Sequence, residues 1–268
     1  MFAWREDGAL KYLVIEEFMD RGVKVYFTSR LGGVSSGDYH SLNLGLHTAD
    51  SKEDVLENRR RLAEALKIDC QDFVAAQQVH SNKVAMVNKN NSGQGAFSYE
   101  SSLPGIDGLI TADRGLPLIS FYADCVPLLL MDPVKGVVGL AHAGWRGTVK
   151  KIGVNIISLM KGIFDCQLDD IWVGIGPAIS RDYYQVDERV VAQVKGNFSC
   201  WRDLLSDQGK DRYLFDLWAA NRAVFHSLGI QDKQIILSNY CTAANTDLFF
   251  SYRKEKGRTG RMASIIYL

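Results

Sequence analysis

The sequence predicts an α/β protein of the α+β type, with mixed sheets that carry antiparallel hairpins and are flanked by helices. Short apolar runs rich in Val, Ile and Leu recur along the chain, bounded by Gly, Pro, Asn and Asp, which is the pattern of buried strands closed by turns. Hairpins come early and helix–strand alternation comes later, an irregular order that argues against a doubly wound parallel sheet. The 268 residues are 47% hydrophobic, enough to bury a sizeable core as one domain spanning 1–268.

Taken in order, Val23 to Thr28 (VKVYFT) reads as a strand. It feeds a Gly/Ser loop, Ser29 to Gly37, whose amides suit an anion held by Arg30 or simply connect two elements. Ser41 to His47 alternates polar and apolar residues like a short strand. Ser51 and Asp54 resemble a capping box, and the helix they open places Val55, Arg59, Leu62 and Leu66 on one stripe. Phe73 to Val79 and Lys83 to Val87 read as strands around Gln77, Gln78, His80, Ser81 and Asn82, so His80 falls at a strand end or turn. Asn88 to Gly105, dominated by Asn, Ser and Gly, reads as an excursion rather than a lid.

Asp107 to Thr111 and Leu118 to Phe121 add strands. Val126 to Met131 and Val137 to Ala141 are continuous apolar runs joined by the turn Asp132-Pro133-Val134-Lys135-Gly136. Antiparallel pairing of these two runs returns Cys125, at the outer end of the first, beside His142 at the outer end of the second. Ala143-Gly144-Trp145-Arg146-Gly147 follows, where two glycines permit close backbone approach and Arg146 stands at the mouth. A helix is expected from Val149 to Phe164, with Ile152, Ile156, Leu159 and Ile163 on one face. Ile171 to Ile175 is a strand ending in Gly176-Pro177, and Tyr183 to Val186 leads to a helix capped by Asp187. Asp216 caps another helix that runs to about Leu228 and stops at Gly229. Gln234 to Leu237, Leu248 to Tyr252 and Met262 to Tyr267 close the chain as strands, with Lys254 to Gly260 as a charged loop.

Thirty-one Lys plus Arg balance 31 Asp plus Glu, which disfavours a nucleic-acid groove or an anionic membrane surface as partner. The basic clusters Arg59-Arg60-Arg61 and Arg253 to Arg261 read as a solvated helix face and a mobile loop. Arg5, Glu6, Asp7 and Lys11 interrupt the segment where a signal peptide needs an apolar core, and no apolar run reaches spanning length, so a cytoplasmic protein is expected. Five scattered cysteines without a CxxC pair indicate reduced thiols rather than a disulfide framework or a zinc knuckle. Neither a GxGxxG after a strand nor a GxxxxGK[ST] is present, which argues against a dinucleotide or P-loop enzyme.

His80, Cys125 and His142 together offer two imidazoles and a thiolate from separated strand ends, a set that suits zinc and leaves a fourth position for water or substrate. From spacing alone this stands beside a plainer reading, a buried Cys125 and two ordinary histidines.

The segments SRLGG with the S and G that follow, SLNLG with its H, QVH, ADCVPLLL, HAGWRG, GIGPAIS, and FFSYR through GRMA extend the argument. From Ser29 to the C-terminus the chain resembles the YfiH-type family, formerly called multicopper polyphenol oxidase or laccase-domain proteins. The resemblance implies a YfiH-like fold, a catalytic zinc on His80, Cys125 and His142, and phosphorolysis of purine nucleosides (adenosine, inosine, guanosine, methylthioadenosine) with adenosine deamination beside it. Ser81 after QVH and Gly108 in DGLIT depart from the family's usual residues and bear on local turn geometry only. For phosphorolysis Arg30 and Arg146 are the expected phosphate clamps, with Ser29, Asn43 and Gln77 as polar positioners. Asp124 is the candidate for moving protons, which requires a bend, because strand alternation otherwise turns it away from its neighbour Cys125. The implied partners are purine nucleosides and phosphate, acting on a monomer or small homo-oligomer.

Three other readings remain. A blue copper site with a trinuclear cluster needs many imidazoles and HxH pairs, and five His with no HxH do not build one, although adventitious Cu2+ at the same ligands would give weak phenol oxidation. A cysteine hydrolase would use Cys125 as nucleophile and His142 as base. A non-enzymatic binding module would turn over no nucleoside.

Overall fold

The computed structural model describes residues 1–209 and 211–268. The N-terminal third supplies strands β1 (Phe2–Asp7), β2 (Leu10–Ile15) and β3 (Lys24–Thr28), then β4 (Val74–Ala75) and β5 (Val84–Met86), with helices α1 (Glu16–Met19) and α2 (Lys52–Leu66). The middle carries β6 (Gly108–Thr111), β7 (Leu118–Tyr122), β8 (Val126–Asp132) and β9 (Val137–Ala143), then α3 (Trp145–Val149), α4 (Ile152–Phe164) and β10 (Trp172–Ile175). The remainder adds β11 (Gln185–Val186), α5 (Glu188–Asn197), α6 (Trp201–Leu204), β12 (Leu205–Asp207), β13 (Tyr213–Phe215), α7 (Leu217–Ser227), β14 (Ile235–Leu237) and β15 (Met262–Tyr267).

Two six-stranded sheets result, ordered β1-β2-β3-β15-β7-β4 and β14-β10-β8-β9-β6-β5, with a small third sheet β11-β13-β12. Both large sheets are mixed, since β4 runs parallel to β7 in the first, and β14 to β10 and β5 to β6 in the second, while the other ladders are antiparallel. Strand alternation sorts side chains into three apolar layers. Leu129 and Met131 of β8 face Leu118 and Ile266 of the other sheet, whereas Leu128 and Leu130 turn to the layer holding Ile152, Ile156 and Phe225 of α4 and α7. Ile119 and Ile265 point the other way, onto Leu62 and Leu66 of α2. The chain is thus layered helix, sheet, sheet, helices. Burial on both faces explains why β8 and β9 read as unbroken apolar runs. Among the described residues no helix is long and apolar enough to cross a membrane.

The hairpin expected around Asp132 is present, with Val126 opposite Ala143 and Pro127 opposite His142. Ser51 caps α2 by accepting from the Asp54 amide at 3.2 Å, and Asp187 and Asp216 cap α5 and α7. Several expectations are corrected. Ser41 to His47 is not a strand: its carbonyls are taken by side chains of α2, Asn58 binding those of Ser41 and Asn43 and Arg59 that of Leu44, so no neighbouring strand is needed. Leu248 to Tyr252 is also not a strand, because the Leu248 and Phe249 amides bond locally to the Asn245 carbonyl. The helix expected from Val149 divides into α3 and α4 at Lys151, whose φ is +57°, and Ile163 at 45% exposure lies off the buried stripe. The strands expected over Phe73 to Val79 and Lys83 to Val87 shrink to β4 and β5. The hairpin of β1 and β2 went unread because neither half shows clean alternation.

Candidate active site

The site is assembled around one carboxylate. Asp107 immediately precedes β6, and because Gly108 pairs with Ala141 of β9, Asp107 lies next to His142, whose amide donates to the Asp107 carbonyl at 2.7 Å. The carboxylate then reaches in two directions. Oδ1 lies 3.0 Å from His142 Nδ1 and accepts from the His80 amide at 3.0 Å. Oδ2 accepts from the Val79 and Ser81 amides and the Ser81 hydroxyl at 3.2, 2.6 and 2.7 Å. His80, at φ +59°, sits in a loop with no strand partner, and this anchor fixes it. Bonding Nδ1 to a carboxylate leaves Nε2 of His142 as the free donor atom, the arrangement that orients metal-ligating histidines.

Cys125 completes the cluster. It stands just before β8, beside the end of β9, as the hairpin geometry predicts. Its Sγ lies 3.9 Å from His80 Nε2, the two imidazoles meet edge to face at 4.8 Å between centroids, and the ligand atoms of all three residues lie within 4.8 Å of one another. Bond lengths of about 2.3 Å to sulfur and about 2.0 Å to nitrogen set tetrahedral zinc donors about 3.3–3.6 Å apart, so the cluster fits such an ion after shifts of about an ångström. Burial disfavours the Cys125 thiolate, but the imidazoles of His142 and His80 outweigh it and hold the thiol below its ordinary range. Burial likewise disfavours a charged His142, and Cys125 and Asp107 outweigh it, holding the imidazole above its ordinary range. A thiolate at neutral pH is the form a metal binds.

Gly144 shields this geometry. A Cβ there would lie 2.8 Å from Cys125 Sγ and 2.9 Å from His80 Cδ2. With φ −66° the backbone itself accepts alanine. Gly144→Ala is therefore expected to fold normally yet push both donors aside and weaken zinc binding at least about tenfold. Competition against a chromophoric chelator reads this out, and unchanged affinity would show that the cluster relaxes around a methyl group.

The three side chains open into a cavity of about 480 Å³ whose wall includes Asp124, Trp145, Arg146, Tyr184, Arg253 and Arg261, with His47, Gln78 and Phe121 among the rest. That volume suits a drug-sized ligand. Asp124 has φ +82°, the bend its orientation requires, and its carboxylate accepts from the Thr242 hydroxyl and the Arg253 amide at 2.7 Å each. Burial, the largest influence, pushes this carboxyl above the usual range against those two bonds. Gln78 clasps the Phe121 backbone, its amide bonding carbonyl and N–H at 2.8 Å each.

Of the residues singled out from sequence, His80, Cys125, His142, Asp124 and Arg146 converge on this cavity. Ser29, Arg30, Asn43 and Gln77 do not line it. Ser29 Oγ accepts from the Leu31 amide. Arg30 binds the carbonyls of His40 and Thr246 and pairs with Glu255 at 2.9 Å. Asn43 is buried and spends its amide on Thr48, Asp50, Gly45 and Arg261. Gln77 bonds through its backbone to Leu103 and Tyr99, and its neighbour Gln78 faces the cavity instead. The cations facing the cavity are Arg146, Arg253 and Arg261. The last two belong to the segment expected to be a mobile loop; it is anchored by Glu255, which binds the Ser251 amide and the Thr259 hydroxyl. Arg59, expected on a solvated face, is 1% exposed. Asp107 was missed as a site residue; its one signal is an acid at the head of an apolar strand.

A family model described as multi-copper polyphenol oxidoreductase laccase matches residues 24–268. The chain is 41% identical over 241 residues to purine nucleoside phosphorylase YlmD of Bacillus subtilis (strain 168), covering 90% of this chain and 86% of that one. It is 40% identical over 250 residues to the protein of the same name from Geobacillus stearothermophilus, covering 91% and 90%. The crystal structure of Bacillus licheniformis hypothetical protein YfiH matches with a TM-score of 0.95 at 36% identity, over 99% of this chain and 98% of that one.

Proposed function

The chain belongs to the multi-copper polyphenol oxidoreductase laccase family, and from that premise we propose that it is a zinc-dependent purine nucleoside phosphorylase with adenosine deamination as a side activity. Purine nucleosides and phosphate are its substrates, and free base and pentose 1-phosphate its products; adenosine, inosine, guanosine and methylthioadenosine fall within this class. The relatives named above carry the phosphorylase name. The observation that carries the reading is the His80, Cys125 and His142 cluster opening on a cavity lined by three arginines. On this reading the protein works in the cytoplasm as a monomer or small homo-oligomer.

In phosphorolysis a phosphate oxygen bonds to the ribose C1′ as the bond to the purine nitrogen breaks, and the base leaves with the electron pair. Arg146, Arg253 and Arg261 answer the need for cations beside the sugar. Arg253 is steered by its stack on Tyr184, 5.0 Å from the ring centroid, and by a bond to the Gln185 carbonyl. Asp124, with its proton affinity raised by burial, is the group we assign to deliver a proton to the departing purine nitrogen. His80, Cys125 and His142 would hold zinc, which supplies Lewis acidity and makes water nucleophilic near neutral pH, as attack on the amine-bearing purine carbon in deamination requires.

One observation favours a second reading. Asp107, His142 and Cys125 form an acid–imidazole–thiol line, the arrangement of a cysteine hydrolase. That chemistry has no use for a second imidazole, whereas a metal centre needs His80 where it stands, 3.9 Å from the sulfur. The copper-dependent polyphenol oxidase reading draws on the family's description, since His₂Cys also suits copper. A multinuclear centre calls for more imidazoles than the single additional His47 in this cavity.

Incubation of metal-assayed protein with adenosine, with and without phosphate, separates these readings. Adenine and ribose 1-phosphate are expected only when phosphate is present, and inosine in either case. Cys125→Ala is expected to lose stoichiometric zinc and both activities together. If zinc-loaded wild type forms none of these products the assignment fails, and a trapped thioester without metal would favour the hydrolase.

A further inference from the structure

Beside the active cavity, and sharing Trp145 and Arg146 with it, lies a hollow of about 220 Å³ whose other walls are Val149, Lys150, Arg189 and Gln193. Its charge comes from the register of two helices. Arg146, Val149 and Lys150 lie three and four positions apart at α3 and its C-cap, hence on one face, and Arg189 and Gln193 lie four apart on α5, which packs against α3. Three cations therefore meet around one hollow with no carboxylate in its lining. Glu188, next to Arg189 in sequence, reaches Lys195 at 3.9 Å, and Asp187 caps the helix. Like charges four residues apart on a helix repel, so the Arg146 and Lys150 pair is a cost unless an anion sits between them. Arg146 is steered toward the boundary by its stack on Trp145, 4.6 Å from the ring.

We infer that this hollow binds a phosphate dianion, beside but apart from the phosphate that attacks the sugar. The inference extends the reading of the main cavity to substrates or co-substrates entering past Arg146. Two sources share this chemistry: the 5′-phosphate of a nucleoside monophosphate whose base and sugar occupy the main cavity, and free phosphate held on its way in. A guanidinium fork with an ammonium opposite and an amide donor beside them is a set that recognises either.

Calorimetric titration of the zinc-loaded chain at low salt tests this with inosine, inosine 5′-monophosphate and inorganic phosphate as separate probes, none of which turns over alone because inosine has no amine to lose and no phosphate to react with. The variants are Lys150→Glu with Arg189→Glu, and Lys150→Gln with Arg189→Gln, all at exposed positions. If the 5′-phosphate is the ligand, the monophosphate binds at least tenfold tighter than inosine in wild type, and that advantage disappears in both double variants while inosine affinity holds. If free phosphate is the ligand, wild type takes two equivalents and the variants one. If neither the monophosphate advantage nor the phosphate stoichiometry differs between wild type and variants, the site does not exist. Because equilibrium binding is read, a protein that binds phosphate here but cleaves no nucleoside would overturn the phosphorylase reading and leave this one standing.

Discussion

Replacing Asp107 by asparagine is expected to lower zinc affinity about 10–100-fold and to destabilise the fold by about 3 kcal/mol. The carboxylate accepts from three backbone amides, a hydroxyl and the His142 ring. Asparagine keeps one oxygen and turns an amine toward the remaining donors, so at least one buried N–H loses its partner and the His142 tautomer is no longer fixed. The two effects separate by measurement, zinc affinity by chelator competition and stability by urea unfolding. Burial raises the carboxyl's proton affinity, but its bonds to His142 and Ser81 outweigh that and leave it below the ordinary value. A depressed carboxylate stabilises the fold fully above its unfolded pKa of about 3.9, and loses that contribution as pH falls through the folded value. The stability gap between wild type and Asp107→Asn should therefore narrow below pH of about 4, hold level from about 5 to about 6, and shrink again at higher pH as His142, which Asp107 helps keep protonated, loses its proton. Unchanged zinc affinity would mean that something other than Asp107 orients His142.

Arg59→Met is expected to cost about 3–5 kcal/mol, because three buried carbonyls lose their donor at about 1–3 kcal/mol each. This guanidinium has no carboxylate partner: it donates from Nε to the Leu44 carbonyl at 2.9 Å and from Nη1 to those of Gly95 and Ala96 at 2.7 Å, and stacks on Phe121 at 4.6 Å. Methionine fills much of the volume but strands three carbonyls, two of them in a segment with no strand of its own. Arg59→Lys keeps the charge without the fork and should recover only part of the loss. A change below about 1 kcal/mol in urea unfolding would show that water replaces the guanidinium. Because Arg59 ties α2 to the segment leading to His47 and backs Phe121, the loss should also loosen that wall of the cavity.

The β8 and β9 hairpin was legible because both strands are buried on both faces and a Pro-Val-Lys-Gly turn punctuates them. Once paired, it places Cys125 beside His142 without further assumption. His80 was placed at a turn by the polar run around it, but its approach to the other two depends on Asp107, and a hydrogen bond between residues 27 apart leaves no periodic trace. Of the two cations expected at the cavity, Arg146 lines it and Arg30 does not, for a related reason. Arg30 looks free beside a glycine loop, yet Glu255 claims it, and Glu255 lies in the same charged segment whose Arg253 and Arg261 reach the cavity. Local sequence shows that arginines are present; tertiary pairing decides which of them remain available. The expected strand over Ser41 to His47 failed similarly, since Asn58 and Arg59 supply what a neighbouring strand would have given.

β15 lies between β3 and β7, pairing Ser264 with both Phe27 and Ser120. Synthesis on the ribosome must therefore pass residue 267 before the two halves of that sheet can be stitched together. Until then β3 and β7 present unpaired edges to solvent, making a nascent or prematurely terminated chain a target for chaperones and self-association.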